Sequence, residues 1–314
     1  MNVVSKGFII NPYYELLPDY KIYPFTNLDL SFNHSLPKDD CIDDYFSKRF
    51  QQKEYIYTIN GRAAINLALG YYKFKPDDVV TILTTTSNFY ISRCVTDEIE
   101  KFCKWNRVVI PETKLIFVNH EFGYPSNDLL SIKKTGLPII EDCAHSFFSK
   151  DINNTIGTIG DFIIYSFPKM FPLQIGGLLV NNLGCRLGKF TSIDKNQSQY
   201  IKNVLSHYII YEDEIIKKRL DNYAFLATEF EKVGLKERFK IEPGIVPGVF
   251  MFQRGKHQID LSELKKHFYS HGIQCSVFYR EEAFFIPVHQ NLTVTDLKYF
   301  VIVMKEYLKL QSHE

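Results

Sequence analysis

Four short stretches of this sequence combine residue types and spacings that suit chemistry. The first is Asn60-Gly61-Arg62-Ala63-Ala64. A glycine turn opening a helix leaves backbone N–H groups without partners and puts the positive end of the helix dipole beside them, which suits an anion. The second is Ile139-Ile140-Glu141-Asp142-Cys143-Ala144-His145, where two carboxylates close an apolar run. Carboxylates in that position must be solvated, paired or functional. Adjacent residues on a strand face opposite ways, so at most one of Glu141 and Asp142 points into a given site. The third is Ser166-Phe167-Pro168-Lys169. A lysine desolvated among apolar neighbours has a lowered pKa and becomes a usable amine nucleophile. The fourth, Gly176-Gly177, permits close backbone approach. Taken singly, each has a plainer reading: a turn, a strand end, a snorkelling surface lysine, a loop.

The elements that must position these stretches follow from the pattern of apolar residues. Residues 55–57 read as extended, and Ala63 to Leu69 as a helix entered at Asn60-Gly61. Short β-branched or apolar runs at 79–83, 115–118, 137–140, 162–167 and 178–180 read as buried strands. Helices are expected over about 89–105 and 129–134. Alternating buried strands and helices predict an α/β domain with a largely parallel sheet, in which ligands bind at the carboxyl ends of the strands. Each of the first three ends a strand or opens a helix, and the glycine pair lies at a turn before the next strand. The first fifty residues, broken by Pro12, Pro18, Pro24 and Pro37, read as irregular except for a short helix over 43–50. Beyond about residue 190 the pattern changes to helices over 213–233, after Asp260, and after Thr293 to Leu310, with a strand over 273–278. The expected organisation is a large domain over 1–190 and a smaller α+β domain over 191–314.

Composition narrows the class. The chain has 314 residues, enough for two domains, and 37 basic against 36 acidic residues. That balance argues against a nucleic-acid binder. No apolar run approaches the roughly 18 residues of a membrane span. The first ten residues lack the apolar core of a secretory leader, and none of the six cysteines forms a Cys-x-x-Cys pair. A reduced, cytoplasmic protein is expected. His267 and His271 stand four apart on an expected helix, but the sequence offers no third ligand beside them, so no metal site is expected.

The order of the four stretches is more specific than any one of them. A helix-opening glycine loop precedes Asp142; Lys169 follows twenty-seven residues later, and a glycine pair after that. This arrangement resembles the DegT/DnrJ/EryC1/StrS type of sugar aminotransferases, of the fold-type I class. The resemblance runs through most of residues 55–182. It includes Asn60-Gly61-Arg62-Ala63-Ala64-Ile65, Asn88-Phe89 and the stretch from Asn119-His120 through Gly123 and Pro125 to Asp128. It also includes Ile140 to His145, Gly157-x-x-Gly160-Asp161, Ser166-Phe167 with Lys169, and Ile286-Pro287-Val288-His289.

The resemblance implies a fold-type I transferase fold, with a three-layer large domain, and pyridoxal 5'-phosphate as cofactor. Lys169 would carry that cofactor covalently and shuttle the proton of transamination. Asp142 would pair with the pyridine nitrogen, Phe89 would stack on the ring, and His145 would approach the phenolic oxygen. The backbone around Gly61, Arg62 and Ala63, with the hydroxyl of Ser166, would hold the phosphate. The implied reaction moves an amino group from an amino acid, glutamate or a similar donor, to a nucleotide-linked keto sugar in surface-glycan or deoxyamino-sugar biosynthesis. The implied assembly is a homodimer. Two alternatives stay open. One is a lyase or dehydratase on the same fold, although deoxysugar dehydratases of this type carry histidine where Lys169 stands. The other is a scaffold homologue without turnover, motivated by the absence after Gly177 of the family's Gly-x-Asn-x-Arg stretch, which supplies a cross-subunit contact to the phosphate.

Overall fold

The computed structural model describes residues 18–126, 128–184, 193–255 and 257–311. The expected irregularity of residues 1–17, and Cys185, lie outside them. The chain divides into two compact units.

The first unit comprises residues 25–212 with 243–246. Its centre is a seven-stranded sheet. The strands are β1 (Tyr55–Thr58), β2 (Val79–Thr84), β3 (Lys104–Asn106), β4 (Thr113–Asn119), β5 (Ile139–Asp142), β6 (Phe162–Ser166) and β7 (Gly177–Asn181), in the order β1-β7-β6-β5-β4-β2-β3. The β3–β2–β4–β5–β6 ladders are parallel, and β7 runs antiparallel between β6 and β1. The helices of this unit are α1 (Asn27–Ser35), α2 (Cys41–Arg49), α3 (Gly61–Tyr71), α4 (Arg93–Ile99), α5 (Leu129–Lys133) and α6 (Lys195–Ile209).

Both faces of the sheet are covered, as its near-continuous apolar strands require. Ala64, Ile65, Ala68 and Leu69 of α3 pack with Val95 and Ile99 of α4 on one face, against Val80, Ile82, Leu115, Phe117, Ile140, Phe162 and Ile164. The alternate residues Ile116, Val118 and Ile139 face the other way and meet Leu129 and Ile132 of α5. On that second side, Phe46 of α2 stacks on Phe167 at 5.9 Å and 10°. The expected α/β class with a mostly parallel sheet, layered between helices, is what the structure has.

Four local expectations are corrected. Helix α1 forms inside the segment read as irregular, because Thr26 and Asp29 make a reciprocal capping box just after Pro24. The helix expected over 89–105 is only Arg93–Ile99, capped by Ser92, since Trp105 instead pairs with Val80 in the edge strand β3. Helix α6, not foreseen, opens at Asp194, whose side chain accepts from Gln197 N. It sits against α2, with Ser206 Oγ accepting from Ile42 N at 3.1 Å and Gln199 donating to Asp40 at 3.0 Å. Those contacts place residues 193–212 with the sheet, so the units divide at Glu212 and not near residue 190.

The second unit comprises residues 213–242 and 247–311, joined by 18–24. It holds α7 (Glu212–Glu231), α8 (Leu261–Ser270), α9 (Val294–Gln311) and an antiparallel sheet ordered β10-β11-β9-β8. Its strands are β8 (Lys236–Glu237), β9 (Phe250–Gln253), β10 (Ser276–Phe278) and β11 (Ala283–Ile286). Phe230, Phe250, Phe252, Phe268, Phe284 and Phe300 form its core. Among the described residues, no helix is long and apolar enough to cross a membrane.

The glycine pair acts as a strut in the first unit. Gly176 has φ +112°, donates from its N–H to Ile59 O and accepts at its carbonyl from Phe167 N. A Cβ on Gly177 would lie 2.6 Å from Thr58 Oγ1 and 2.7 Å from the carbonyl carbon of Asn60. The pair therefore brings the turn that bears Lys169 against the turn that opens α3. Gly177→Ala should destabilise the protein by about 1–3 kcal/mol, since backbone cannot yield. Urea denaturation measures this; an unchanged midpoint would remove the strut.

Candidate active site

Strand register and alternation assemble the candidate site. Thr84 of β2 pairs with Asn119 of β4, and Asn119 with Asp142 of β5, so three polar residues form a row at the carboxyl edge. Each is two residues beyond an apolar residue of the α3-facing layer (Ile82, Phe117 and Ile140), so all three face that side. Ser166 of β6 has the same parity with Ile164. The N-terminus of α3 meets it there: a Cβ on Gly61 would stand 3.3 Å from Ser166 Cβ and 3.6 Å from its Oγ.

At that helix end, Asn60 is the cap and its Oδ1 accepts from Ala63 N at 3.0 Å. Ala63 was expected among the anion-binding N–H groups; its N–H is committed to this cap. The N–H groups of Gly61 and Arg62 remain at the helix start beside Ser166. Two helix-start N–H groups and the hydroxyl of Ser166 are thus neighbours at the positive end of a helix dipole, a donor set that suits an anion such as phosphate.

Asp142 is 5% exposed. Its Oδ2 accepts from Asn119 Nδ2 at 2.8 Å and its Oδ1 from Ala144 N at 3.0 Å. Burial pushes its carboxyl above the usual range, against the opposing pull of Ala144, Asn119, His120 and Lys169. Burial thus outweighs the compensation that these neighbours give, and a further cation seated beside the carboxylate would favour its charged form. Lys169 lies half-buried in a single turn over Phe167–Lys169, directly after β6, and acts electrostatically on Asp142. An amine, a desolvated acid and an anion cradle thus stand along one edge of one sheet face.

Glu141 points the other way, as alternation requires, and its role is structural. It is fully buried. Its oxygens accept from Gly157 N (2.8 Å), Ile159 N (2.8 Å) and Gly160 N (2.5 Å). His120 Nε2 lies 3.1 Å from Glu141 Oε2, and His120 Nδ1 accepts from Ser126 N at 3.0 Å. The second contact assigns the ring proton to Nε2, which therefore donates to Glu141. The stretch Gly157-x-x-Gly160 is explained by this hub. A Cβ on Gly160 would meet Phe162 O at 2.9 Å and Glu141 Cγ at 3.0 Å.

The other expected residues are placed as follows. Phe89 is 53% exposed, which disposes of a core role. Arg107 stands over that ring with its Cζ 5.7 Å from the centroid. Its Nη2 donates to Asn88 O at 2.5 Å and to Thr84 Oγ1 at 3.1 Å. His145 is half-buried with its ring edge-on to Phe122 at 5.3 Å. Sequence reasoning named Asn119 in a motif but gave it no site role, and it missed Arg107. Asn119 was legible in principle, as a polar residue ending an apolar strand; Arg107 gave no signal, because only the fold brings it to Thr84.

Residues 101–184 match the DegT/DnrJ/EryC1/StrS aminotransferase family. The resemblance read from the sequence is borne out over that stretch. No curated protein matches the sequence. Among solved structures, the fold is similar to an aminotransferase, TlmJ, from Streptoalloteichus hindustanus, at 14% identity and TM-score 0.70, covering 90% of this chain and 95% of that one. It is similar to the putative sugar aminotransferase Spr1654 from Streptococcus pneumoniae in its PMP form, at 14% identity and TM-score 0.71, covering 97% and 100%. It is also similar to the E. coli GDP-4-keto-6-deoxy-D-mannose-3-dehydratase with bound hydrated PLP, at 15% identity and TM-score 0.68, covering 92% and 100%.

Glu141→Gln would turn an amide N–H2 toward backbone N–H donors that now share a charged acceptor. Hydrogen bonds to charged groups contribute roughly 1.5–3 kcal/mol each, so a loss of about 3 kcal/mol is expected. Thermal and urea unfolding read it. A variant as stable as the parent would show that Glu141 does not hold the 157–160 loop.

Proposed function

We propose that this chain is a pyridoxal 5'-phosphate-dependent aminotransferase that moves an amino group from an amino acid, glutamate or a similar donor, to a nucleotide-linked keto sugar. The observation that carries the reading is the desolvated Asp142 carboxyl set along one sheet face with Lys169 and with the donor cradle of Gly61, Arg62 and Ser166. A phosphate suits the cradle, and a protonated ring nitrogen suits an acid that burial leaves short of compensating charge. The residues present therefore fit the cofactor. The family match over residues 101–184 supports the same reading.

When bound, the cofactor supplies an electron sink for charge that develops at a substrate carbon. The chain's own residues do the rest. Lys169 Nζ holds the cofactor at rest and moves a proton during turnover. Asp142 keeps the ring nitrogen protonated, and Asn119 and Ala144 N hold the carboxylate in place through their hydrogen bonds to its two oxygens. Gly61 N, Arg62 N and Ser166 Oγ anchor the phosphate. Phe89, with Arg107 over its ring, would stack on the cofactor, and His145 would hold its phenolic side.

Lys169 favours transamination over the dehydratase chemistry of the E. coli neighbour, on the reading that a histidine replaces the lysine in such enzymes. The proposed setting is surface-glycan or deoxyamino-sugar biosynthesis in the cytoplasm. We read the assembly as a homodimer. The support is apolar surface on the first unit: Leu28 (86% exposed), Leu30 and Phe32 on α1, and Val108 to Ile110 after β3. The run from Val108 to Ile110 is contiguous in sequence, and contiguous exposed apolar surface marks interaction sites.

Purified protein should take up pyridoxal 5'-phosphate and turn yellow, and borohydride should fix the adduct to Lys169, read by peptide mass. Glutamate should convert the bound form to pyridoxamine phosphate. Lys169→Ala should lose the adduct and turnover by at least about 10³-fold, and Asp142→Asn should weaken the cofactor by about tenfold or more. A colourless protein that binds no added cofactor would overturn the reading in favour of a scaffold. A yellow protein inert to every amino donor would favour the lyase.

A further inference from the structure

The sequence pattern His267-x-x-x-His271 lacked a third ligand, and the second unit provides one. Glu306 of α9 brings its carboxylate to the end of α8, and one ligand atom from each of His267, His271 and Glu306 lies within 4.8 Å of the others. The histidine rings share one helix face, with centroids 4.4 Å apart.

The hydrogen bonds decide which nitrogens are available. His271 Nδ1 lies 2.7 Å from the carbonyl oxygen of His267, which can only accept. The Ser270 hydroxyl donates to the same carbonyl at 2.8 Å, so its oxygen, 3.3 Å from His271 Nδ1, is an acceptor as well. The His271 proton is therefore on Nδ1, and Nε2 carries a lone pair. That nitrogen is buried, in a residue 2% exposed, and has no hydrogen-bond partner. It is directed at Glu306 Oε2, 3.9 Å away, too far for a hydrogen bond. His267 Nε2 lies 3.1 Å from Val303 O, so its proton is there and its Nδ1 carries the lone pair.

We propose that His267 Nδ1, His271 Nε2 and the Glu306 carboxylate form a binding site for a divalent first-row transition ion of the zinc class. Two neutral imidazoles and one carboxylate make a borderline donor set that suits zinc or cobalt better than calcium or magnesium. In both rings the second nitrogen donates to a backbone carbonyl, the outer-sphere arrangement that fixes tautomer and ring orientation at metal-bound histidines. Ligand atoms about 2.1 Å from a tetrahedral ion lie about 3.4 Å apart, so His271 Nε2 and the Glu306 carboxylate, 3.9 Å apart, would close by about half an ångström, and the other pairs, within 4.8 Å, by at most about 1.4 Å. Its side chain is 28% exposed, which gives it room to move and gives the ion a way in. Water takes the fourth position. The ion would clamp the end of α8 to α9.

A second three-residue group among the described residues, His120, Glu141 and Cys143, carries no such proposal. Both His120 nitrogens and both Glu141 oxygens are already in hydrogen bonds.

The test uses the untagged full chain, treated with EDTA and then freed of chelator. Cobalt(II) alone is titrated in, and the ligand-field absorption of the bound ion is followed; zinc is then added in competition. One saturable cobalt ion per chain is expected, displaced by zinc, with at least tenfold weaker binding in both His271→Ala and Glu306→Gln. If His271→Ala fails to fold, Glu306→Gln, at a partly exposed position, carries the comparison. Absence of a saturable signal would overturn the proposal, and so would unchanged affinity in Glu306→Gln. The readout needs neither pyridoxal phosphate nor turnover, so it stands or falls apart from the aminotransferase reading.

Discussion

A carboxylate taken out of water needs donors or a counter-charge, and β5 buries two of them side by side. The pleat sends them to opposite faces, and the two environments differ. Glu141 receives three backbone N–H groups and a histidine N–H, so its charge is met entirely by the fold. Asp142 receives one backbone N–H and one side-chain amide, and burial still holds its carboxyl above the usual range. Because the folded-state pKa is raised, Asp142 favours folding below its unfolded pKa and opposes it increasingly as pH rises through the folded value. A bound cation reverses that term. At this one residue, burial outweighs the donors and charges that the fold supplies.

The remaining site geometry follows from register. Parallel pairing sets Thr84, Asn119 and Asp142 in one row, and the same parity along β6 turns Ser166 toward α3. A shift of one residue in β5 would exchange the faces of Glu141 and Asp142, leaving the 157–160 loop without its acceptor. The glycines act at the two places where backbones must touch: Gly177 against Asn60, and Gly160 against Glu141. The Gly-x-x-Gly stretch is therefore a support for β5 and not part of the anion cradle.

Much of this was legible in the sequence because it is local. The apolar runs of β2, β4, β5, β6 and β7, the Asn60 cap and the opposed carboxylates each follow from a few adjacent residues. What escaped depends on contacts between distant segments. Trp105 looked helical and is a strand residue because β2 offers Val80 as its partner. Residues 193–212 carry no composition signal for the large unit, yet Ser206 and Gln199 tie α6 to α2. Arg107 reaches Thr84 and Asn88 only through the crossover from β3 to β4. Glu306 stands thirty-five residues from His271 and meets it only because α9 packs along α8.

The abundance of phenylalanine acquires a specific meaning around Lys169. The turn that bears it is flanked by side chains with no exposure: Phe167 before it, Met170 and Phe171 after it. Phe167 stacks on Phe46, and Phe147 meets Phe167 at 6.0 Å and Phe171 at 5.3 Å, both edge-on. The Arg49 guanidinium lies 4.3 Å from the Phe147 ring centroid and donates to the carbonyl of Phe147. Aromatic pairs of this kind contribute roughly 0.5–1.5 kcal/mol beyond their burial and favour one arrangement over others. The backbone of Lys169 is therefore pinned from both sides by a packed layer on the face opposite α3. A side chain on so fixed a base has its backbone position set during folding, so the cost of ordering that backbone is already met before any ligand arrives.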